Sequence, residues 1–505
     1  MSKNFLRLKS CDQIQQSSEA KGAQLHRAIG PVELVMLGIG AIIGAGIFVI
    51  TGTAAAGDID AAGHIIRYPA GPAITLSFIL TAIGCLCCAL CYAELAAMIP
   101  ISGSAYTYAY VSMGEIFAWL IGWDLLLEYT FDAATISVGW SGYMNELLKN
   151  IFHIHLPEYL QTPTFHALLN PSAHSQYPHL LGMPLAVNLP AVFIIALMGS
   201  LLIRGVREST RFNNIIVAMK LVVVLVFVVV GAFYIKPSNW SPFMPYGIKG
   251  VLSGAALIFF AYIGFDALST TAEEVRNPSR DLPLGILGSL AVCTLLYVVV
   301  AGILTGMVPY SILNTPEPVA TALHHVGLDF LGTYIVSVGA VIALTSALLM
   351  MILGQPRIIF AMARDGFLPK ILAWVHPRYR TPFWPTIIST LFIMLLAGMC
   401  DLSHVASLCN AGTLTAFIMV ALGVIILRRQ QPGRPRKFRM PWVPFLPIVG
   451  IAVCALLILS LPNAALWGFL IWNTIGMVIY LSYGRHHTHY DNPAPIKENN
   501  ASGQP

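Results

Sequence analysis

Apolar segments long enough to cross a lipid bilayer recur along the whole chain. A membrane-spanning helix needs about 20 predominantly apolar residues. The chain is 57% hydrophobic and 10% charged, whereas soluble domains carry about 25% charged residues. The sequence therefore predicts an all-α polytopic membrane protein with twelve transmembrane helices. These predicted helices, spans 1 to 12, lie near residues 33–54, 73–98, 113–146, 185–203, 212–235, 251–272, 284–308, 330–354, 384–400, 404–427, 442–460 and 463–483.

Lysine and arginine are unevenly distributed between the predicted loops. With the N-terminus inside, 23 of the 28 fall in cytoplasmic segments and four in external loops, while Lys220 falls within span 5. Because loops rich in Lys and Arg stay on the cytoplasmic side, both termini are predicted to be cytoplasmic. The same rule favours a topological role over a nucleic-acid site for the basic stretch RRQQPGRPRKFR. No cleavable signal peptide is predicted, because the first apolar run begins about thirty residues in.

Glycine interrupts two of the predicted spans. Span 1 contains Gly44, Ala45 and Gly46 within GIGAIIGAGIFV, and span 6 contains Gly264 and Asp266 within FFAYIGFDAL. Glycine destabilises a helix interior by about 1 kcal/mol relative to alanine. Broken spans at matching positions indicate an internal repeat with a binding site near the bilayer midplane.

The two broken spans are five apart, which predicts an inverted repeat, since an odd offset starts the second copy on the opposite side of the membrane. Repeat one would cover about 31–235, repeat two about 250–428, and helices 11 and 12 about 442–483. Together they form one transmembrane domain, 31–484, between cytoplasmic tails at 1–30 and 485–505. The second tail is predicted to be disordered.

A break in a helix frees backbone groups for a ligand. Amides at the start of the outer half of span 1 favour an anion, and carbonyls where a helix of span 6 ends favour a cation. An α-amino acid carries both charges on one carbon. The alternative is that the glycines only allow close helix packing, which Gly40 and Gly44 also fit. The second break, in span 6, favours a binding site.

Several long stretches resemble one transporter family. They are MLGIGAIIGAGIFVITG, CYAELAAMIPISGSAYTYAY, GWDLLLEY, FFAYIGFDALSTTAEEVRNPSRDLPLGI and GQPRIIFAMARDGFLPK, between about residues 25 and 440. The chain resembles the amino acid–polyamine–organocation superfamily, and within it the bacterial members of the cationic amino acid transporter family. The resemblance implies the leucine-transporter type of fold, with broken helices 1 and 6. It also implies a bacterial cytoplasmic membrane, because mammalian members have additional spans.

The resemblance also implies a substrate site between spans 1 and 6. Span 1 would hold the substrate carboxylate and span 6 carbonyls the amino group, with Phe260 and Phe265 as gates. Many family members carry a hydroxyl residue where Ala45 stands, so one polar contact is missing here. The predicted substrate-binding residues are Ile43, Gly44, Ala45, Gly46, Glu128, Phe260, Ala261, Ile263, Phe265, Leu268 and Met350.

Three carboxylates in span 3, Asp124, Glu128 and Asp132, are spaced by four and share one helix face. Carboxylates within a membrane are costly and usually face a cavity or carry function. They would read a cationic substrate side chain or relay protons; alternatively, they are structural groups satisfied by hydrogen bonds. Glu128 lies closest to mid-span and is the functional candidate. Asp266 would instead stabilise the frayed backbone of span 6.

Lys220 is predicted to lie inside the hydrocarbon region. An ammonium there must be paired or lose its proton. In sodium-driven relatives a sodium ion sits between spans 1, 5 and 8, and in proton-driven members an ammonium takes its place. This resemblance assigns Lys220 and Ser346 to proton coupling, with Lys220 donating to a span 1 carbonyl near Gly44 and to the Ser346 hydroxyl. The alternative is that the long side chain reaches the cytoplasmic headgroups.

The predicted function is a secondary active transporter that imports L-amino acids, neutral or cationic, by proton symport with alternating access. The proton is the coupling ion, no cofactor or nucleic acid is involved, and the protein, whose oligomeric state is open, could act as a monomer. An exchanger or a sodium symporter remains an alternative. A channel would need a pore ring or selectivity loop.

An intramembrane metal enzyme is the remaining alternative. Cysteines in CLCCALC and three histidines in RHHTHY, His486, His487 and His489, suggest metal ligands. No HExxH motif accompanies them, so helix packing by the cysteines and an adventitious histidine tail are the favoured interpretations.

Histidines concentrate in the predicted external segments. Histidine changes charge near pH 6.5, so one hypothesis is that the outer surface tunes transport in acidic surroundings; the alternative is polar loop filler. The nine external histidines are His64, His153, His155, His166, His174, His179, His324, His325 and His404.

Overall fold

Helices make up most of the protein in a computed structural model, which describes residues 29–59, 65–100, 104–169, 177–180, 183–184, 186–204, 210–379, 381–400 and 402–487. The predictions for tail residues 1–28 and 488–505, including His489, lie outside the described residues. The α-helices are α1 Pro31–Ile42, α2 Thr51–Ala56, α3 Ile74–Met98, α4 Ser104–Ser112, α5 Glu115–Asn150, α6 Thr164–Leu169, α7 Leu189–Ile203, α8 Thr210–Ala232, α9 Gly247–Ile258, α10 Pro278–Met307, α11 Pro318–His325, α12 Val338–Arg364, α13 Phe383–Met399, α14 Leu402–Gln430, α15 Phe445–Leu459, α16 Asn463–Ile479 and α17 Arg485–His487.

Eight helical segments among the described residues are long and apolar enough to cross a membrane. They are Pro31–Ala56, Gly71–Met98, Asn213–Ala232, Gly247–Ala272, Pro278–Met307, Tyr334–Arg364, Val405–Gln430 and Asn463–His487. The shorter apolar helices α7, α13 and α15 coincide with spans 4, 9 and 11, and the 36-residue α5 coincides with span 3. A helical multi-pass membrane protein is thus confirmed, whereas the number of spans and the inverted repeat remain predictions.

Two short antiparallel hairpins accompany the helices. Strand β1, Asp58–Ile59, pairs with β2, Ile65–Arg67, and β3, His179–Leu180, pairs with β4, Met183–Pro184. Both lie in loops that the sequence predicts to be external. Strands this short occur here because an extended loop that folds back satisfies its own backbone groups.

Span 1 is broken where the sequence predicts. Helix α1 ends at Ile42, and Ile43 has extended backbone angles, φ −75° and ψ 95°. The chain resumes as a π-helical turn, Gly46–Ile50, which leads into α2. The Thr51 hydroxyl donates to the Gly46 carbonyl over 2.9 Å, so a side chain stabilises the start of the second half.

Span 6 is also broken at its predicted position. After α9 the chain tightens into a 3-10 turn, Phe259–Tyr262, and Ile263 is extended. Gly264 has φ +118°, which favours glycine because it has no Cβ. The Gly264 amide donates to the Asp266 carboxylate over 3.2 Å, so Asp266 stabilises the opened backbone. A second 3-10 segment, Asp266–Glu274, completes the span.

The long helix α5 lies in the middle of the helical packing. It contacts α12, α13 and α14 along its length, while α10 packs between α1 and α3. Helix α8 contacts both α1 and α12. The first half of span 1 is therefore in contact with α8, α10 and α12, and this arrangement positions the side chains described next.

Candidate functional site

The two broken spans touch each other at their breaks. A Cβ on Gly46 would lie 2.3 Å from the Ala261 Cα, and a Cβ on Gly264 would lie 2.9 Å from the Ala41 carbonyl. Each break therefore requires a glycine because the backbone of the other span lies against it. The glycines therefore serve both interpretations, because they allow close packing of the two spans at the positions where the backbone is opened.

Lys220 extends from α8 to the end of α1. Its Nζ donates to the Gly40 carbonyl over 2.9 Å and to the Ile43 carbonyl over 3.0 Å. The side chain is 1% exposed, so the ammonium is held inside the protein and does not reach the membrane surface. A cation at this point is also stabilised by the negative end of the α1 dipole.

Helix α12, which carries Ser346, contacts span 1 at Gly44. The Ser346 hydroxyl donates to the Ala343 carbonyl over 3.1 Å. Its neighbour Ala347 faces Gly44, where an added Cβ would lie 3.4 Å from the Ala347 Cβ. Thus α12 contributes a small residue opposite the break, next to the hydroxyl that the sequence assigns to coupling.

Two tyrosines that sequence reasoning missed also bind the span 1 backbone. The Tyr297 hydroxyl, from α10, donates to the Ile42 carbonyl over 2.8 Å. The Tyr143 hydroxyl, from α5, donates to the Phe48 carbonyl over 2.6 Å. The sequence does indicate that these tyrosines form hydrogen bonds, because a tyrosine within an apolar run needs a partner for its hydroxyl. The sequence does not reveal that both partners lie in span 1.

At the span 1 break, these contacts occupy backbone carbonyls, so the groups that remain for a ligand are backbone amides. The last carbonyls of α1 accept from Lys220 and Tyr297. The first amides of a helix have no partner within that helix, and such amides favour an anion. A carboxylate is therefore the ligand group that suits the break on the side of Gly44 to Gly46.

The predicted span 6 residues are buried, but they face different neighbours. Phe260, Ala261 and Ile263 form the end of the 3-10 turn and are at most 4% exposed. The Phe265 ring packs against Tyr92 and Phe417, with centroid distances of 5.9 and 5.0 Å. The structure thus places Phe265 in an aromatic cluster with α3 and α14.

Two further predicted residues, Leu268 and Met350, lie on different elements. Leu268 packs against α1, because a Cβ on Gly38 would lie 2.8 Å from its Cδ1. Met350 is half-buried on α12, four residues after Ser346 and therefore on the same face. Ile43 and Ala45 are buried within the break itself.

The three carboxylates of α5 are all buried, at 2 to 3% exposure. Asn473 of α16 donates to Asp124 over 3.2 Å, and the Glu128 carbonyl accepts from the Cys409 thiol of α14 over 3.4 Å. The structural interpretation therefore applies to Asp124. Glu128 contacts the helix that also touches span 6, which keeps it a candidate.

Comparison with known proteins agrees with this arrangement. The sequence profile of the amino acid permease family matches residues 29–480. The chain belongs to the amino acid permease family. This confirms the superfamily inferred from the sequence motifs and makes the protein a transporter and not an enzyme.

Relatives of this permease differ in their substrates. A methylthioribose transporter of Bacillus subtilis (strain 168) is 45% identical over 94% of this chain and 96% of its own length. A branched-chain amino acid permease of the same organism is 45% identical over 92% of this chain and 94% of its own length. Cationic amino acid transporter 9, chloroplastic, of Arabidopsis thaliana is 41% identical over 81% of this chain and 67% of its own length.

The cysteines of CLCCALC pack against α15 in the permease. A Cβ on Gly450 would lie 3.1 Å from the Cys87 Cβ, and the Cys88 and Cys454 sulfur atoms are 3.6 Å apart. Within the described ranges, no group of three or more His, Cys, Asp or Glu residues could hold a metal ion. The helix-packing interpretation of these cysteines is supported.

Glycine substitutions in span 1 are expected to separate packing from binding. Gly46→Val should prevent the close approach of Ala261 and reduce both folding yield and transport. Gly44→Ala adds its Cβ at ordinary contact distance from Ala347, so the protein should fold while amino acid binding weakens at least about tenfold, equivalent to 1.4 kcal/mol. Monodispersity in detergent and ligand-induced thermal stabilisation measure the two effects. Normal binding by a folded Gly44→Ala variant contradicts a substrate site here.

One external histidine lies between two carboxylates. His324 Nε2 is 2.8 Å from Glu146 Oε1, and its Nδ1 is 2.7 Å from Asp329 Oδ1. The hydrogen bond with Glu146 raises the pKa of His324 to about 8, against an opposing effect of burial. The contact joins α11 to the end of α5. His324 therefore has a structural reason to sense pH, whereas His64 and His174 lie outside the described residues.

The His324 contact is expected to make stability depend on pH. Because its folded pKa is above the ordinary 6.5, the stabilisation is complete below about pH 6.5 and is lost as pH rises through about 8. The apparent unfolding temperature of the permease should therefore fall over this interval, and His324→Gln should remove that fall. His155→Gln, in the exposed loop, is the control. An unchanged pH profile in His324→Gln would refute the role.

Proposed function

We propose that this permease imports L-amino acids by proton symport with alternating access. The observation that carries the proposal is the pair of hydrogen bonds from Lys220 to the Gly40 and Ile43 carbonyls. A protonated Lys220 ties α8 to the broken helix, and loss of its proton weakens that tie because a neutral amine is a weaker donor. Proton binding on one side and release on the other therefore move span 1.

Substrate and proton are linked through one backbone segment. Lys220 binds the carbonyls immediately before Gly44, and the substrate carboxylate binds the amides immediately after it. Negative charge on the substrate and positive charge on Lys220 stabilise each other across this short distance. Symport follows, because each partner favours binding of the other.

The proposed architecture comprises twelve spans with cytoplasmic termini, a five-helix inverted repeat and a monomeric transport unit that needs no cofactor. The backbone breaks in both span 1 and span 6 support a common origin of the two spans. The uneven distribution of Lys and Arg supports the orientation. The bacterial relatives support a cytoplasmic membrane.

The proposed substrates are amino acids with apolar side chains, and secondarily cationic ones. Buried apolar residues surround the breaks, which suits the branched side chains transported by one relative. Glu128 would interact with a cationic side chain. Methylthioribose is the second candidate because the relative that transports it is equally similar. It has neither carboxylate nor ammonium, so it would offer the donor groups of span 1 only neutral hydroxyl acceptors, which bind less strongly than a carboxylate.

Reconstituted proteoliposomes test this function. Labelled leucine should accumulate when the outside is acidic relative to the lumen, and a proton ionophore should abolish the accumulation. A sodium gradient alone should have no effect. Excess unlabelled amino acid should compete, whereas excess methylthioribose should not. Sodium-dependent accumulation, obligatory exchange or competition by methylthioribose alone would each replace the proposal with the corresponding alternative.

A further inference from the structure

Asn410 of α14 binds the end of α9, next to the break in span 6. Its Nδ2 donates to the Ala256 carbonyl over 2.7 Å and to the Leu257 carbonyl over 2.9 Å. The residue is 0% exposed. Its Oδ1 is buried and accepts no hydrogen bond from the described part of the chain. Sequence reasoning gave this asparagine no role.

The two carbonyls that Asn410 binds lie in the last turn of α9, where the helix type changes. An α-helix bonds each amide to the carbonyl four residues back, and a 3-10 turn bonds it to the carbonyl three residues back. The hydrogen-bond pattern of the backbone therefore changes at the turn Phe259–Tyr262. Nδ2 donates to both carbonyls at this change. An unpaired carbonyl in this buried place would otherwise cost free energy.

Helix α14 also connects this contact to α5. The Cys409 thiol, one residue before Asn410, donates to the Glu128 carbonyl over 3.4 Å. Asn410 thus lies on a helix that packs against α5, which makes it a support for the opened backbone of span 6.

We propose that Asn410 is a positioning residue of the substrate site, which holds the tight turn after α9 so that its carbonyls face the substrate ammonium. The inference rests on the proposed function and adds a residue from α14 to it. The role belongs to Nδ2, which donates to two backbone carbonyls next to the turn. The unpaired Oδ1 is the kind of buried acceptor that a bound ligand or water satisfies.

The test compares two ligands of the full-length protein in detergent, leucine and its 2-hydroxy analogue, which keeps the carboxylate and lacks the ammonium. The variants are Asn410→Leu, of similar size without donors, and Asn410→Ser, which keeps one donor. Asn410→Leu should weaken leucine binding about tenfold, the effect of one lost charge-assisted contact. Binding of the 2-hydroxy analogue should change less than about twofold, and Asn410→Ser should recover part of the loss.

Asn473→Ala is the matched control, because Asn473 also donates to a backbone carbonyl and to α5 but does so from α16. It should leave the ratio of the two affinities unchanged. An unchanged ratio in a folded Asn410→Leu variant would overturn the positioning role, as would an equal loss for both ligands. If the wild type binds neither amino acid nor analogue, the proposed function fails, and this inference fails with it.

Discussion

Replacing Lys220 by glutamine is expected to abolish proton-driven accumulation of amino acid while substrate binding persists. Glutamine keeps N–H donors for the Gly40 and Ile43 carbonyls, but it cannot gain or lose a proton at physiological pH. Accumulation under an inward proton gradient should fall to the level of liposomes without protein. In detergent, the leucine concentration that gives half of the maximal thermal stabilisation should stay within about tenfold of the wild-type value.

Lys220→Met is the complementary variant, because methionine removes both donors and the charge. It should lose accumulation as well, and its unfolding temperature should fall below that of Lys220→Gln, since each unpaired buried carbonyl costs about 1–3 kcal/mol. Lys249→Met, at an exposed position near the start of α9, is the control and should transport normally. If either Lys220 variant still concentrates amino acid under a proton gradient, Lys220 is not the coupling group.

Replacing Glu94 by glutamine is expected to produce the largest loss of stability. Glu94, 1% exposed at the end of α3, accepts from Arg428 Nε over 3.0 Å. It also lies 3.2 Å from Arg436 Nε and accepts the Met440 amide over 2.8 Å. Removing one partner of a buried ion pair costs about 3–5 kcal/mol, because the remaining charges stay buried without compensation.

The measurement is the apparent unfolding temperature in detergent, with Glu158→Gln, in the exposed 3-10 turn Glu158–Leu160, as the control. Arg436→Gln combined with Glu94→Gln should destabilise by less than the sum of the two single variants, because the residues share one network. Additive effects, or a Glu94→Gln variant as stable as the control, would show that this network does not stabilise the loop after α14.

The sequence by itself determined the class of the protein and the positions of both breaks. Apolar segments of bilayer length require helices, because each backbone group must be satisfied within the membrane. Glycine at 44, 46 and 264 marked the opened backbone, since local sequence controls local backbone conformation. The family motifs also pointed correctly to Lys220 as a buried cation near span 1. These features depend on residues that are close together in the chain.

Contacts between distant segments were decided only by the tertiary structure. The sequence shows Tyr297, Tyr143 and Asn410 as isolated polar residues, and their partners lie about 95 to 255 residues away. The basic stretch after span 10 carried a topological signal, but only folding pairs Arg428 with Glu94 of α3. Such partners follow from how the helices pack, because a buried polar group bonds to whichever complementary group packing brings within reach.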